Sequence, residues 1–442
     1  MELVSDPSHT GLVDQAAELD SVPHLMTALR GPLLEMESHF LEHQAHIEAW
    51  LRRKWREATP PFYASVDLRN SGFKVAPVDT NLFPAGFNNL HPALVPLAIQ
   101  AVQSAFNRVC PTAIGVVIVP ESHTRNPYYL ESVATLRDIL LKAGYEVRVG
   151  ALPDEWPEPL TIDLPSGRQL RVERLEREGE RVRVGDFWPC AILLNNDLIG
   201  GRPAILEDLE QDVVPPLDLG WTKRRKSTHF RIYSEVSREF AELVEIDPWL
   251  IDPLFRNCGE VNFKTREGEE CLANNVDALL ADIRRKYREY GIDQDPFVVV
   301  KADAGTYGMG IMTAHSGEEI YALNRKQRSR MASTKGGRGV ERVIIQEGVY
   351  TFETWGEDPA VAEPVVYMID RFVIGGFYRV HTHRGPNENL NAPGMHFQSL
   401  AFHESCNNPD HSRSPDAEPN RFYVYGVIAR LALLAAAVEL TA

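Results

Sequence analysis

The chain of 442 residues is 44% hydrophobic and 24% charged, an ordinary globular composition with apolar residues enough for a large core and a length that suits two or three compact domains. Its formal net charge of −16 argues against nucleic acid as a main partner, since phosphate backbones are held by a surplus of lysine and arginine. Five cysteines at 110, 190, 258, 271 and 406 show no C-x-x-C spacing, which fits reduced thiols and argues against a disulfide framework or a zinc site.

The opening MELVSDPSHTGLVDQ lacks the basic and apolar regions of a signal peptide. The apolar run Leu431–Val438 is far too short to span a bilayer. A soluble cytoplasmic protein is expected. From His24 to Glu57, Leu25, Leu29, Leu33, Leu34, Phe40, Leu41, Ile47 and Leu51 recur at helical spacing, with Gly31-Pro32 breaking or restarting the helix. Residues 1–60 therefore read as an N-terminal helical segment.

Tyr63–Leu90 has a different texture. It mixes Asp67, Arg69, Asn70, Lys74, Asp79, Asn81, Asn88 and Asn89 with Phe73, Phe83 and Phe87. Without clear periodicity it reads as loop-rich, either turn formers with aromatic anchors or a pocket for a charged small molecule. In the second reading Arg69 and Lys74 are available for carboxylates, with Asp79 and Asn81 beside them. Ile114–Val119 then reads as a buried strand, Glu131–Ala143 as an amphipathic helix capped by Gly144, and Tyr145–Val149 as another strand. Strand, helix, strand is the doubly wound unit, whose ligands sit beyond the carboxyl ends of the strands. The loop there, Pro120–Tyr129, carries Glu121, His123, Thr124, Arg125 and Asn126. Leu160–Asp186 reads as a hairpin excursion turning at Pro165-Ser166-Gly167, and Ala191–Leu194 closes the sheet. Residues 61–215 thus form a doubly wound α/β substrate domain with a hairpin insertion.

Residues 216–442 differ. Lys223-Arg224-Arg225-Lys226 precedes a helical pattern through Phe230, Tyr233, Val236, Phe240 and Leu243, and in so acidic a chain a nucleoside triphosphate is the natural counter-charge. Asp277–Tyr290 is an amphipathic helix leading to Phe297–Val300, a buried strand that delivers Lys301. Gly305, Gly308 and Gly310 follow, then a returning strand, Ile311–Ala314. Such a hairpin is either plain turn chemistry or a nest of N–H groups that closes on phosphates beside a lysine. No P-loop occurs. Lys326–Arg338 reads as a basic loop. Arg342–Glu347, Pro364–Ile369 and Gly376–His381 read as strands that join the glycine hairpin in a largely antiparallel sheet.

In order, Lys226 at a helix start, Lys301 with its glycine loop, Ile344-Ile345-Gln346-Glu347, Asp370 after a strand, and Arg379 with Asn389-Leu390 resemble the ATP-grasp fold, as in bacterial glutathione synthetase. Across nearly the whole chain, VDTNLFPAGFNNL, VPESHTRNPYY, VVVKADAGTYGMGI and NENLNAPGMHFQSLAFH look like the ATP-grasp-like glutamate–cysteine ligases of some proteobacteria. The resemblance implies α/β and α+β architecture, a parallel-sheet N-terminal domain followed by an ATP-clamping region. It also implies ATP-dependent formation of γ-glutamylcysteine through an acyl phosphate, with ATP and Mg2+ required and only small molecules as partners; a homo-oligomer is left open.

On the family pattern Lys226 and Lys301 contact ATP phosphates and Lys301 also lies near adenine. The Gln346–Val349 backbone (Gln346, Glu347 and Val349) forms the adenine hinge, Asp370 lies near the ribose, Arg379 faces the transferred phosphate, and Asn389 holds the nucleotide or its metal. The usual terminal Glu-x-Asn triplet of the fold is missing from Tyr423–Ala442. Glu260-Val261-Asn262 and Glu388-Asn389 are the candidate magnesium ligands instead, hard oxygen donors of the kind magnesium takes. His381-x-His383 reads as substrate-facing or structural. A ligase with another amino-acid pair, or a non-catalytic nucleotide-binding regulator, would keep the same nucleotide residues.

Overall fold

The computed structural model describes residues 32–121, 126–152, 159–305, 310–332, 339–356, 359–399 and 422–440. Two helices, α1 (Pro32–Glu42) and α2 (Gln44–Glu57), open this part of the chain. The segment expected to be loop-rich is instead a hairpin, β1 (Tyr63–Asn70) and β2 (Val75–Asn81). Ala64, Val66 and Leu68 point one way and are fully buried, while Asp67 and Arg69 point the other way. That is the period of two expected of a strand, concealed in the sequence because the polar face is charged rather than merely hydrophilic.

The parallel sheet is built from β3 (Gly115–Pro120), β4 (Glu146–Ala151), β5 (Leu160–Asp163), β6 (Gln169–Glu178), β7 (Arg181–Val184), β8 (Ala191–Asn195) and β9 (Asp212–Val214). Its order is β5-β6-β4-β3-β8-β9, with β7 on β6. The doubly wound reading holds for β3, β4 and β8, which pair in parallel. Two corrections concern its edges. The 160–186 hairpin is not an excursion, because β6 pairs in parallel with β4, and Ala191–Asn195 does not close the sheet, because β9 lies beyond it. Helices α3 (Val95–Val109) and α4 (Pro127–Lys142) pack in one core with β3, β4 and β8 and with Val365, Tyr367 and Ile369.

After α5 (Lys226–Leu243), a four-stranded antiparallel sheet of order β10-β13-β11-β12 combines β10 (Phe255–Glu260), β11 (Val298–Ala302), β12 (Ile311–Ala314) and β13 (Arg342–Glu347). Lys301 lies opposite Ile311 on one side and Ile344 on the other. Helix α6 (Glu269–Glu289) covers this sheet with Leu272, Val276, Leu279, Leu280 and Ile283, all buried. The short helices α7 (Glu318–Tyr321) and α8 (Arg325–Met331) follow β12. The expected basic loop is helical over α8, started by a reciprocal capping box between Asn324 and Gln327; residues 333–338 of that expectation lie outside the described ones.

The remaining strands, β14 (Glu353–Trp355), β15 (Ala360–Ile369), β16 (Phe372–His381) and β17 (His396–Ser399), do not join the glycine hairpin as expected. They form a separate antiparallel sheet with the first hairpin, in the order β17-β16-β15-β1-β2 with β14 on β15. Tyr63 faces Ile369 and Asp67 faces Val365, so residues 63–81 are joined by their backbone to the far end of the sequence. One face of this sheet is covered by α9 (Phe422–Glu439), which packs on α5, β2, α1 and β1. Helix α9 is buried on nearly every side, as a helix apolar all round must be. Its internal arginine, Arg430, is held by both carboxylate oxygens of Glu48 at 2.9 and 3.0 Å. Among the described residues no helix is long and apolar enough to cross a membrane.

Candidate active site

The two antiparallel sheets enclose a cleft, a concave site lined by both apolar and polar groups of the kind in which small molecules bind. Four neighbouring strands of the six-stranded sheet place Asp79 (β2), Asp67 and Arg69 (β1), Glu363 (β15) and Arg379 (β16) on one face. From the other side come Lys301 (β11), Ile311 and Thr313 (β12) and Gln346 (β13), with Gly305 at the loop, Lys226 at the start of α5, and Asn387, Glu388, Asn389 and Asn391 after β16.

These charges hold one another. Arg379 donates to Asp67 Oδ2 at 2.9 Å and to Glu363 Oε1, and its buried Nε has no partner among the described residues. The two carboxylates raise the guanidinium's proton affinity further despite burial. Burial pushes Glu363 up, but Arg69 and Arg379 together bring it below the usual carboxylate range. For Asp67 burial wins, helped by the nearby Glu363 and Asp79 and opposed by Arg379, and its pKa is raised. Asp79 receives the Lys226 ammonium at 2.5 Å. Burial would lift it, yet Lys226 and Lys301 hold it low.

Lys301 donates to Val78 O at 2.8 Å and to Gln346 Oε1 at 2.6 Å. Burial lowers its pKa to about 8, with Asp79 opposing and Lys226 assisting. The lysine thereby fixes which way the Gln346 amide points, and the buried Gln346 Nε2 is left without a partner among the described residues. Asp303, at the base of the glycine loop, accepts from Ser227 N and Ser227 Oγ, each at 2.8 Å. Its carboxylate supplies from another element the N-terminal cap that Arg225 does not give α5, and so ties Lys226 to the strand that carries Lys301. Gly305 and Gly310 adopt φ of 108° and 63°, the left-handed region that glycine enters without strain.

Of the residues expected to act, Arg69, Asp79, Lys226, Lys301, Gly305, Gln346, Glu347, Val349, Arg379, Glu388 and Asn389 meet at the cleft. Arg69 does so as a brace rather than a free fork: it donates to Glu363 Oε2 at 3.0 Å, Val349 O at 3.2 Å, Pro386 O at 3.5 Å and Glu388 O at 2.5 Å. Gly310 closes the hairpin, its carbonyl accepting from Ala302 N at 3.0 Å. Gly308, His123 and Arg125 lie outside the described residues.

Others stand elsewhere. Lys74 is 1% exposed and gives its ammonium to Glu347 Oε2 at 2.7 Å and Asp252 O at 2.9 Å, over the Trp249 ring; it is a structural cation. Asn81 makes a local turn with Phe83. Glu121 is buried at the end of β3, where its backbone N donates to the Tyr129 hydroxyl. Asn126 is the N-cap of α4, accepting from Tyr128 N. Asp370 sits at the β15–β16 turn and accepts from Ser104 and Arg108, anchoring α3. Glu260 is exposed, and the Asn262 side chain builds the turn that leads to α6. His381 is packed against Pro393 O.

Sequence reasoning passed over Asp67, Glu363, Asn387 and Asn391. Glu363 had a signal: a lone carboxylate inside the apolar run AVAEPVVYMI, where a charge is kept only with a partner.

Cations and carboxylates converging on one cleft between two sheets define an enzyme of small charged substrates. Residues 37–440 match the glutamate–cysteine ligase family; the chain belongs to that family, and the ligase of glutathione biosynthesis is the enzyme so defined. It is 57% identical to a crystal structure from Methylobacillus flagellatus KT that is provisionally named γ-glutamylcysteine synthetase, over 95% of this chain and 99% of that one, with a TM-score of 0.87. D-alanyl-alanine synthetase A from Vibrio cholerae O1 biovar eltor str. N16961 is 8% identical over 73% of this chain and 81% of that one, and its TM-score of 0.34 carries no argument. No curated protein matches the chain.

Proposed function

We propose that the protein joins the γ-carboxylate of L-glutamate to the amine of L-cysteine, with ATP cleaved to ADP and phosphate, and that the two antiparallel sheets form the ATP-clamping region of an ATP-grasp enzyme. A carboxylate resists attack by an amine, so it is first phosphorylated to an acyl phosphate, which the amine then displaces. Such catalysis rests on positioning and on neutralising phosphate charge.

The observation that carries the reading is the convergence of Lys226, Lys301 and Arg379 on one cleft, beside the partnerless Gln346 Nε2 and the Gln346–Val349 segment. In this reading the two lysines hold the phosphates and Arg379, braced by Asp67 and Glu363, faces the group in transfer. The backbone from Gln346 to Val349 borders the base, and the acyl phosphate has to be kept from water.

For magnesium, Glu388 and Asn389 offer hard oxygen donors at the cleft. Hydrogen bonds from Gly385 N and Arg384 keep the Glu388 carboxyl ionised. Among the described residues no three histidine, cysteine, aspartate or glutamate side chains gather as a cage. That suits an ion that takes one or two carboxylates and completes its shell with phosphate oxygens and water. Glu388 and Asn389 would hold it, and it would supply further charge neutralisation.

A cytoplasmic location, where ATP is supplied, goes with this reading. A coupled ADP-release assay with glutamate, with cysteine and with both tests the proposal. Release that needs both amino acids, with γ-glutamylcysteine as product, is expected; release with another amino-acid pair and not this one would overturn it.

A further inference from the structure

The attacking amine arrives protonated and must lose a proton before it can attack. Among the residues at the cleft, Asp67 is set apart. Oδ2 accepts from Arg379, but among the described residues no hydrogen bond reaches Oδ1, and the side chain is 22% exposed to the cleft. Asp67 lies directly across the ladder from Asp79, and like charges so placed repel unless a cation comes between or beside them. Asp79 has Lys226, and Glu363 has Arg69 as well as Arg379. Asp67 shares Arg379 with Glu363 and has no cation of its own. The other titratable side chains near it are Arg69 on its own strand, Tyr367 on β15 and Lys301 across the cleft, all committed to other acceptors. In the same cleft the buried Gln346 Nε2 has no partner among the described residues, so the space calls for a further polar group.

We propose that Asp67 Oδ1 receives the ammonium of the incoming amino acid and takes one proton from it, making Asp67 the general base of the ligation. This rests on the acyl-phosphate reading above. The carboxylate accepts one N–H proton, leaving a neutral amine with its lone pair free. That pair forms the new C–N bond at the acyl carbon as the C–O bond to phosphate breaks. Phosphate leaves with the bonding electrons and carries off the second amine proton, and Asp67 returns its own to solvent. The raised pKa of Asp67 suits this task, since a more basic carboxylate takes a proton more readily.

The test uses two nucleophiles on the full-length enzyme with ATP and magnesium. Cysteine must be deprotonated, whereas hydroxylamine is uncharged at neutral pH and traps the acyl phosphate as a hydroxamate without a base. Glutamate-dependent hydroxamate formation by the unaltered enzyme checks the underlying reading separately; its absence would sink that reading and this one with it. With that in hand, Asp67→Asn should slow ligation to cysteine by roughly 10²–10⁴-fold, the usual range for a general base. Hydroxamate formation should fall far less than ligation does, because the asparagine carbonyl can still accept from Arg379, and the glutamate and ATP KM values should change less than about fivefold; the residual cysteine rate should rise steadily with pH as free amine accumulates. If hydroxamate formation falls in parallel with ligation, or the glutamate KM carries the loss, Asp67 is a structural or glutamate-binding group and the proposal is wrong. Should the variant not fold, the unaltered enzyme decides. Its cysteine rate at saturation should fall in acid, as Asp67 is protonated, at a pH where the rate with a fixed concentration of free hydroxylamine holds; coincident profiles refute the proposal.

Discussion

Replacing Lys74 by methionine probes the joint between the two sheets that form the cleft. Lys74 lies at the head of the β1–β2 hairpin and Glu347 at the end of β13; their charged ends are 2.7 Å apart and both side chains are 1% exposed. Glu347 is further held by Trp249 Nε1 at 3.1 Å and Leu254 N at 2.9 Å. Methionine keeps the length of the stem and removes the charge, so the Glu347 carboxylate is left buried without its cation. Breaking such a pair costs about 3–5 kcal/mol, whereas removing both partners can be nearly neutral. Against a total stability of about 5–15 kcal/mol for a folded domain, the single variant should lose much of its resistance to denaturant. Lys74→Met with Glu347→Gln should recover most of it, because glutamine's carbonyl can still accept from Trp249 and Leu254. Equilibrium urea unfolding of the three proteins measures this, and since Glu347 borders the cleft the ATP KM should rise more than the glutamate KM in the single variant. A loss under about 1 kcal/mol, or a double variant as unstable as the single, would refute the reasoning.

Lys301→Ala should abolish ATP turnover with the far-ultraviolet circular dichroism unchanged; because burial brings this lysine to about pKa 8, its charge is lost as pH rises through that value, and the ATP KM of the unaltered enzyme should climb there, as initial rates across pH will show. Glu439 is drawn down to about 2 because Arg224 and His229 outweigh its burial, so its stabilisation is complete above the unfolded carboxyl's pKa and is lost as pH falls from about 4; Glu439→Gln should lower the melting temperature at pH 7 more than at pH 3. Only cysteine's amine enters the bond, so 2-aminobutyrate should support ADP release at a rate within about tenfold of cysteine's; no release with it would mean that the thiol is required.

Much of the Lys301 side of the cleft could be read from the sequence, because its devices are local. Strand, Lys301, glycines and returning strand follow one another, and the apolar spacing of α5 and α6 declares two helices. The six-stranded sheet could not be read that way. Asp67, Arg69 and Asp79 make β1 and β2 look like a polar loop, since their partners Glu363, Arg379 and Lys226 lie between 147 and 312 positions on. Lys74 and Asp370 looked like ligand groups for the same reason: a buried charge and a binding charge are the same letter, and only the neighbour tells them apart. Glu260-Val261-Asn262 had the right letters on the wrong surface.

The placement of α9 also bears on how the chain comes to be folded. Translation delivers β1 and β2 early, but their partner β15 comes late and α9 later still. Until then Ala64, Val66 and Leu68 have no cover, and the cleft has only one of its walls. Contacts this distant in sequence form slowly and leave apolar strands open to wrong partners meanwhile. The nascent chain is therefore a natural client for chaperones that shield apolar strands. A polypeptide stalled anywhere before residue 422 cannot bury the sheet that carries Asp67, Glu363 and Arg379, so it would consume no ATP: competence arrives only with α9.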